Sequence, residues 1–149
     1  MVAGKTECVL IFKRIYDAPV ARLWRAWTEA SELGKWYLAG DDHVIQGAEV
    51  DLRVGGSYRV AFGPPGKPPY VETGRYIEII PLKRLAWVGE VTSQDKTFIE
   101  GRTEVEFVDL GDGRTQVVLT NTGDEDLWRS GEGWTPCLAS LERYLAAGA

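Results

Sequence analysis

The residues with the strongest claim to chemistry in this sequence are aromatic. Side chains alternate between the two faces of a strand. Tyr58, Val60 and Phe62 therefore share one face of their run, and Leu85 and Trp87 share one face of theirs. Trp134, Leu138 and Leu141 recur at steps of four and three, which is a helical stripe. Brought together, these faces make an apolar enclosure with a few polar tips, the usual lining for a small hydrophobic or aromatic ligand. The ligand-binding candidates are Trp36, Tyr58, Tyr76, Trp87, Trp134, Leu138 and Leu141, with Arg75 as a charged group able to orient the ligand. The competing reading is that the aromatics fill a core, and it is the stronger one for Trp24 and Trp27.

Other chemistries find less support. His43 is the only imidazole and would suit a general base near neutral pH, but it sits beside Asp41 and Asp42 in a polar segment that reads as an exposed loop. Asp51 and Arg53 share a strand face and read as a surface ion pair. Glu100, Arg102, Glu104 and Glu106 alternate with less polar residues as the solvent side of a strand does. There is no Gly-x-Ser-x-Gly motif and no Cys-His pairing, and Gly55-Gly56 lacks the Lys-Ser/Thr of a phosphate loop. Nothing has zinc-site or EF-hand spacing, so neither a metal nor a cofactor is expected and no catalytic residue is assigned.

The net charge of −5 argues against sequence-independent nucleic-acid binding and against anionic membrane surfaces. No apolar run approaches a transmembrane span. Lys13 and Arg14 interrupt the first apolar stretch before it could serve a signal peptide, so the expected location is cytoplasmic. Cys8 and Cys137 lie inside apolar runs and read as reduced core thiols. At 149 residues, one domain spanning 1–149 is expected.

The elements that would carry the aromatics follow from periodicity. A strand is predicted over Thr6 to Tyr16, then a helix capped by Asp17 and running to Thr28 with Val20, Leu23, Trp24 and Trp27 as its stripe. A short helix follows over Ser31 to Tyr37. Strands are predicted over Ala48 to Val54, Ser57 to Phe62, Tyr70 to Ile80, Arg84 to Val91, Phe98 to Leu110 and Arg114 to Thr122, joined by short connectors as an antiparallel meander. Gly55-Gly56 is expected to make a tight hairpin with Val50, Leu52 and Val54 on its core face. The proline-rich loop at 63–69 reads as a stiff surface excursion. Pro136 should interrupt the last helical segment, leaving a short piece over Glu125 to Ser130 and a long helix from Gly133. The result is an α+β layout with helices on one face of the sheet.

Several local motifs occur here in one order: Asp17-Ala18-Pro19, Leu23-Trp24-Arg25-Ala26-Trp27-Thr28, Lys35-Trp36-Tyr37 and Val50-Asp51-Leu52-Arg53-Val54-Gly55-Gly56. Gly74-Arg75-Tyr76-Ile77-Glu78-Ile79, Gly113-Arg114-Thr115 and Gly133-Trp134 with Leu138, Leu141 and Leu145 complete it. Together they resemble the START-like (SRPBCC) superfamily, and within it the family similar to the activator of heat-shock protein 90 ATPase homologue. The resemblance implies a helix-grip fold, with a curved antiparallel sheet of six or seven strands around a long C-terminal helix and a pocket between them. The sequence departs from the family at Leu38-Ala39-Gly40-Asp41-Asp42 and in the proline loop. Three functions stay open. The first is binding of a small lipophilic molecule. The second is a cyclase, dehydratase or hydrolase using Arg75, Glu78, Glu90 or His43. The third is a co-chaperone-like module with a chaperone partner. An exposed edge strand would also permit a homodimer.

Overall fold

The computed structural model describes residues 8–37, 44–93, 96–123 and 127–147. In chain order the elements are β1 (Cys8–Tyr16), α1 (Val20–Thr28), α2 (Ala30–Trp36), β2 (Val44–Val50), β3 (Ser57–Gly63), β4 (Tyr70–Ile80), β5 (Arg84–Ser93), β6 (Lys96–Gly111), β7 (Arg114–Gly123) and α3 (Leu127–Ala146). The strands form one seven-stranded sheet in the order β1-β7-β6-β5-β4-β3-β2, with every neighbouring pair antiparallel. The sheet grips α3 as the helix-grip fold requires.

Alternation decides the faces. On β7, Thr115, Val117, Leu119 and Asn121 are buried, and on β6 so are Thr103, Val105 and Phe107. These inner residues meet the stripe Trp134, Leu138 and Leu141 of α3 and the buried Leu23, Ala26 and Trp27 of α1. The outer face carries the charge. Arg84 on β5 pairs with Glu78, with Glu104 at 3.0 Å and with Glu106 at 2.8 Å, so the glutamates expected to face solvent are tied together there.

Long-range hydrogen bonds join the first crossover to the rest. The Tyr16 hydroxyl donates to the Leu138 carbonyl on α3 at 3.0 Å, and the Thr115 hydroxyl donates to the Ala18 carbonyl at 2.8 Å. Both anchors lie at the β1–α1 junction, so the path of α1 across the sheet is set from two sides.

Four expectations need correction. The helix α3 continues unbroken from Leu127 through Pro136; burial of Trp134, Cys137, Leu138 and Leu141 along one face compensates for the amide bond that proline cannot make. No separate short helix precedes it among the described residues. The N-cap of α1 is Pro19, without a side-chain hydrogen bond, so Asp17 does not cap it. The β2–β3 connection is not a two-residue hairpin. β2 ends at Val50, the chain turns over 51–56, and Leu52 and Val54 are exposed rather than in the core. Only Gly55 of the glycine pair has positive φ, at 85°. Gly56 is needed for space, since a Cβ there would lie 2.2 Å from the Asp51 carbonyl oxygen. Asp51 and Arg53 do pair at the surface, at 2.8 Å. His43 and Glu125 lie outside the described residues, as does the side chain of Glu100.

The Tyr16 anchor gives a direct check. Tyr16→Phe removes one donor and leaves a buried helix carbonyl without it, so chemical denaturation is expected to show a loss of about 1–2 kcal/mol with an unchanged denaturant slope. A variant as stable as the parent would mean that the bond contributes nothing to docking α3.

Candidate functional site

Among the described residues, the interior holds one buried carboxyl, Glu72. Its place follows from strand phase: Glu72, Gly74 and Tyr76 alternate on β4, and Tyr76 is held facing inward. The turn after β2 secures it, because the Gly55 amide donates to the Tyr76 carbonyl at 2.8 Å and the Tyr76 amide donates to the Gly56 carbonyl at 2.9 Å. With Tyr76 inward, Glu72 four residues earlier must also point inward.

Two phenols reach Glu72 from different directions. Tyr37, the first residue beyond α2, places its hydroxyl 2.9 Å and 3.0 Å from the two carboxyl oxygens. Tyr58 on β3 donates to Oε1 at 2.9 Å. Tyr58 lies directly opposite Gly74, which in turn faces Gly89 on β5. A Cβ at Gly74 would sit 2.2 Å from Tyr58 Cε1, and one at Gly89 would sit 3.0 Å from the Tyr58 hydroxyl. The row continues through Gly101 on β6 and Gly123 on β7, a band across four strands with no side chain on its inner side. The Tyr58 ring uses the first two positions of that band to reach Glu72.

Burial pushes the Glu72 carboxyl up from its ordinary 4.5 to about 7, while the hydrogen bonds from Tyr58 and Tyr37 oppose a larger rise. Burial, reinforced by the Glu72 charge, holds both phenols well above their usual range. At neutral pH the carboxyl is thus poised between its two forms, and the phenols stay neutral donors. Among the described residues no lysine or arginine forms an ion pair with Glu72.

Aromatic rings surround this cluster. Trp27 packs on Trp36 at 4.8 Å, on Trp87 at 6.3 Å and stacks with Trp134 at 6.4 Å between ring centres. Tyr58 meets Trp87 edge-on at 5.6 Å. Between them is a void of about 10 Å³, lined by Trp27, Leu33, Tyr37, Tyr58, Tyr76 and Trp87. That is space for one water molecule. The pocket expected between sheet and helix is therefore, among the described residues, a nearly filled aromatic interior with a water-sized gap.

The candidates divide accordingly. Tyr58, Tyr76 and Trp87 line the gap. Trp134 stands behind it, donating from its indole to Asn121 Oδ1 at 3.3 Å, and Asn121 donates to Thr103 Oγ1 at 2.9 Å. Trp36 braces the two short helices through an indole bond to the Ala26 carbonyl at 2.9 Å, and does not line the gap. Leu138 and Leu141 are buried core residues of α3. Arg75 is not brought inside: it is exposed on the outer face, on an open groove with Val88 and Glu90. Glu78 is occupied with Arg84. Sequence reasoning missed Glu72 and Tyr37 and favoured a core role for Trp27, which lines the gap. The phase of Tyr76 on its strand was the available signal for Glu72. No group of residues able to hold a metal occurs among the described residues, and no helix there is long and apolar enough to cross a membrane.

The family model described as Activator of Hsp90 ATPase homolog 1-like protein matches residues 17–146. A protein from Rhizobium leguminosarum has a similar structure, with a TM-score of 0.84 at 23% identity over 97% of each chain. An AHSA1-like protein from Aeromonas hydrophila reaches 0.80 at 22% identity, over 95% of this chain and 94% of its own. At such identities the likeness speaks for the fold alone. No curated protein matches the sequence.

The buried carboxyl makes stability depend on pH in a defined direction. Below about 4.5 Glu72 is protonated folded or unfolded; between 4.5 and about 7 the unfolded chain ionises while the folded one keeps its proton. Its contribution therefore falls by about 3 kcal/mol across that window and then levels off. Glu72→Gln keeps the phenol acceptor and removes the titration, so its stability relative to the parent should rise with pH through the window. A constant difference, followed by denaturation at several pH values, would contradict this. Gly74→Ala should cost about 1–3 kcal/mol by displacing the Tyr58 ring, measured the same way; a cost near zero would show that the ring does not depend on the glycine band.

Proposed function

The chain belongs to the Activator of Hsp90 ATPase homolog 1-like family, and from that premise we propose that it binds a small hydrophobic or aromatic ligand between the sheet and α3, with Glu72, Tyr37 and Tyr58 as the polar anchor. The observation that carries this reading is a buried carboxyl that accepts hydrogen bonds from two phenols inside a box of aromatic rings, where burial pushes it up to about 7. For stability alone, apolar groups of similar shape in place of Glu72 and both phenol hydroxyls together would serve as well or better. Residues that destabilise a fold while converging on one point are characteristic of binding and catalytic sites.

Room for a ligand comes from the α2 side. That helix has seven residues and no side-chain cap at its N-terminus, and it supplies Leu33 to the wall of the gap. It rests on the edge strand β2, on α1 and on α3, so a small outward displacement widens the gap without breaking the sheet. A second reading, acid–base catalysis in the same site, is favoured by the same Glu72, since a carboxyl near 7 can both give and take a proton. A co-chaperone-like role is supported by the family description alone.

Thermal shift and intrinsic tryptophan fluorescence against flavonoid-like, polyketide-like and fatty-acid-like compounds test the proposal. A compound present at about a hundred times its Kd adds about 2.7 kcal/mol of stability and raises Tm by several degrees. Trp27 and Trp87 would report it through altered emission. If every compound leaves both signals unchanged, the ligand-binding reading is wrong.

A further inference from the structure

Resting on the reading of this interior as a ligand site, we infer that the group recognised at its polar end is a hydroxyl on a small aromatic or hydrophobic molecule. Three features converge. The indole Nε1–H of Trp27 is buried with no acceptor among the described residues, and Trp27 lines the gap. The phenols of Tyr37 and Tyr58 line it too, and both direct their hydrogens to Glu72. Each phenol oxygen keeps acceptor capacity once its hydrogen is committed. The side chains that line the gap thus include one with an unpaired donor and two with acceptor capacity to spare.

The space itself, about 10 Å³, is that of a single oxygen-centred group. A hydroxyl satisfies both demands at once, accepting from Trp27 and donating to a phenol oxygen that is polarised by Glu72 behind it. An ammonium can donate but has no lone pair for the indole. A hydrocarbon answers neither and leaves the buried donor unpaired, at a cost comparable to that of any unsatisfied buried polar group. The rest of the ligand takes the place of Leu33, the one aliphatic side chain of the lining, against the rings of Trp27, Tyr76 and Trp87.

Phenethyl alcohol, phenethylamine and ethylbenzene share a ring and a short chain and differ at one terminal group, which makes them suitable probes. Binding is read on the intact protein by NMR of the tryptophan indole N–H groups, with Trp27→Phe identifying the Trp27 resonance. The alcohol is expected to bind about tenfold or more tighter than the other two and to move the Trp27 indole proton downfield. Tyr58→Phe should weaken binding of the alcohol and leave that of ethylbenzene unchanged. If ethylbenzene or the amine binds as tightly as the alcohol, or if the Trp27 resonance stays in place while the alcohol binds, hydroxyl recognition is refuted and the apolar pocket survives. If none of the three perturbs any indole resonance at millimolar concentration, hydroxyl recognition at this site is overturned. The broader compound panel then decides the ligand-binding reading independently.

Discussion

A carboxyl buried beneath two phenols is the constraint on which this interior depends. Transferring an ionised carboxylate out of water is costly unless hydrogen bonds reach it, and here they must come from separate elements. Tyr37 arrives from the end of α2 and Tyr58 from β3, while Glu72 itself is set by the phase of β4. Each arrival has its own requirement. The Tyr58 ring needs bare backbone at Gly74 and Gly89. The phase of β4 is secured by the turn at 51–56, which bonds to both backbone groups of Tyr76. The helix α2 is held near the site by the packing of Trp36 on Trp27 and by its indole bond to α1. Residues far apart in sequence thus serve one hydrogen-bonded cluster.

That cluster also explains why the interior is specific rather than merely apolar. The aromatic rings contribute large buried areas and edge-to-face contacts, and they exclude the water that would otherwise solvate Glu72. Excluding water raises the carboxyl toward neutrality and strengthens the phenol bonds at the same time. Neutral pH therefore finds the site balanced between an acid and a carboxylate form, with both phenols still protonated. A group so poised responds to whatever shares its enclosure, which is the property that a recognition site or an acid–base site exploits and a structural core does not need.

Much of the scaffold was legible in the sequence because its signals are periodic. Alternation placed Tyr58, Val60 and Phe62, and likewise Leu85 and Trp87, on the inner face, and steps of four and three found the stripe of α3. Punctuation by glycine and proline was less dependable. Pro136 is accommodated inside α3, and the Gly55-Gly56 pair closes a six-residue turn instead of a tight hairpin, because burial and long-range bonds to Tyr76 outweigh local preference. The site was only half visible. Aromatic candidates could be read strand by strand, but Glu72 looks like any strand glutamate until Tyr37 and Tyr58 are seen to converge on it, and convergence is a property of the fold. Arg75 failed for the complementary reason: it lies one step out of phase with Tyr76 and faces solvent. Nor does the glycine band declare itself in sequence, since its four members are spread from Gly74 to Gly123 and meet only through strand register.

The most direct measurement is the titration of Glu72 itself, followed by carbon NMR of its side-chain carboxyl in the folded protein and assigned with Glu72→Gln. Burial behind the aromatic rings predicts a midpoint near 7, above the ordinary carboxylate value, with the phenols of Tyr37 and Tyr58 remaining protonated throughout. A midpoint at the ordinary 4.5 would mean that water reaches the carboxyl freely, and that the enclosed phenol-carboxyl cluster is not the centre of this molecule.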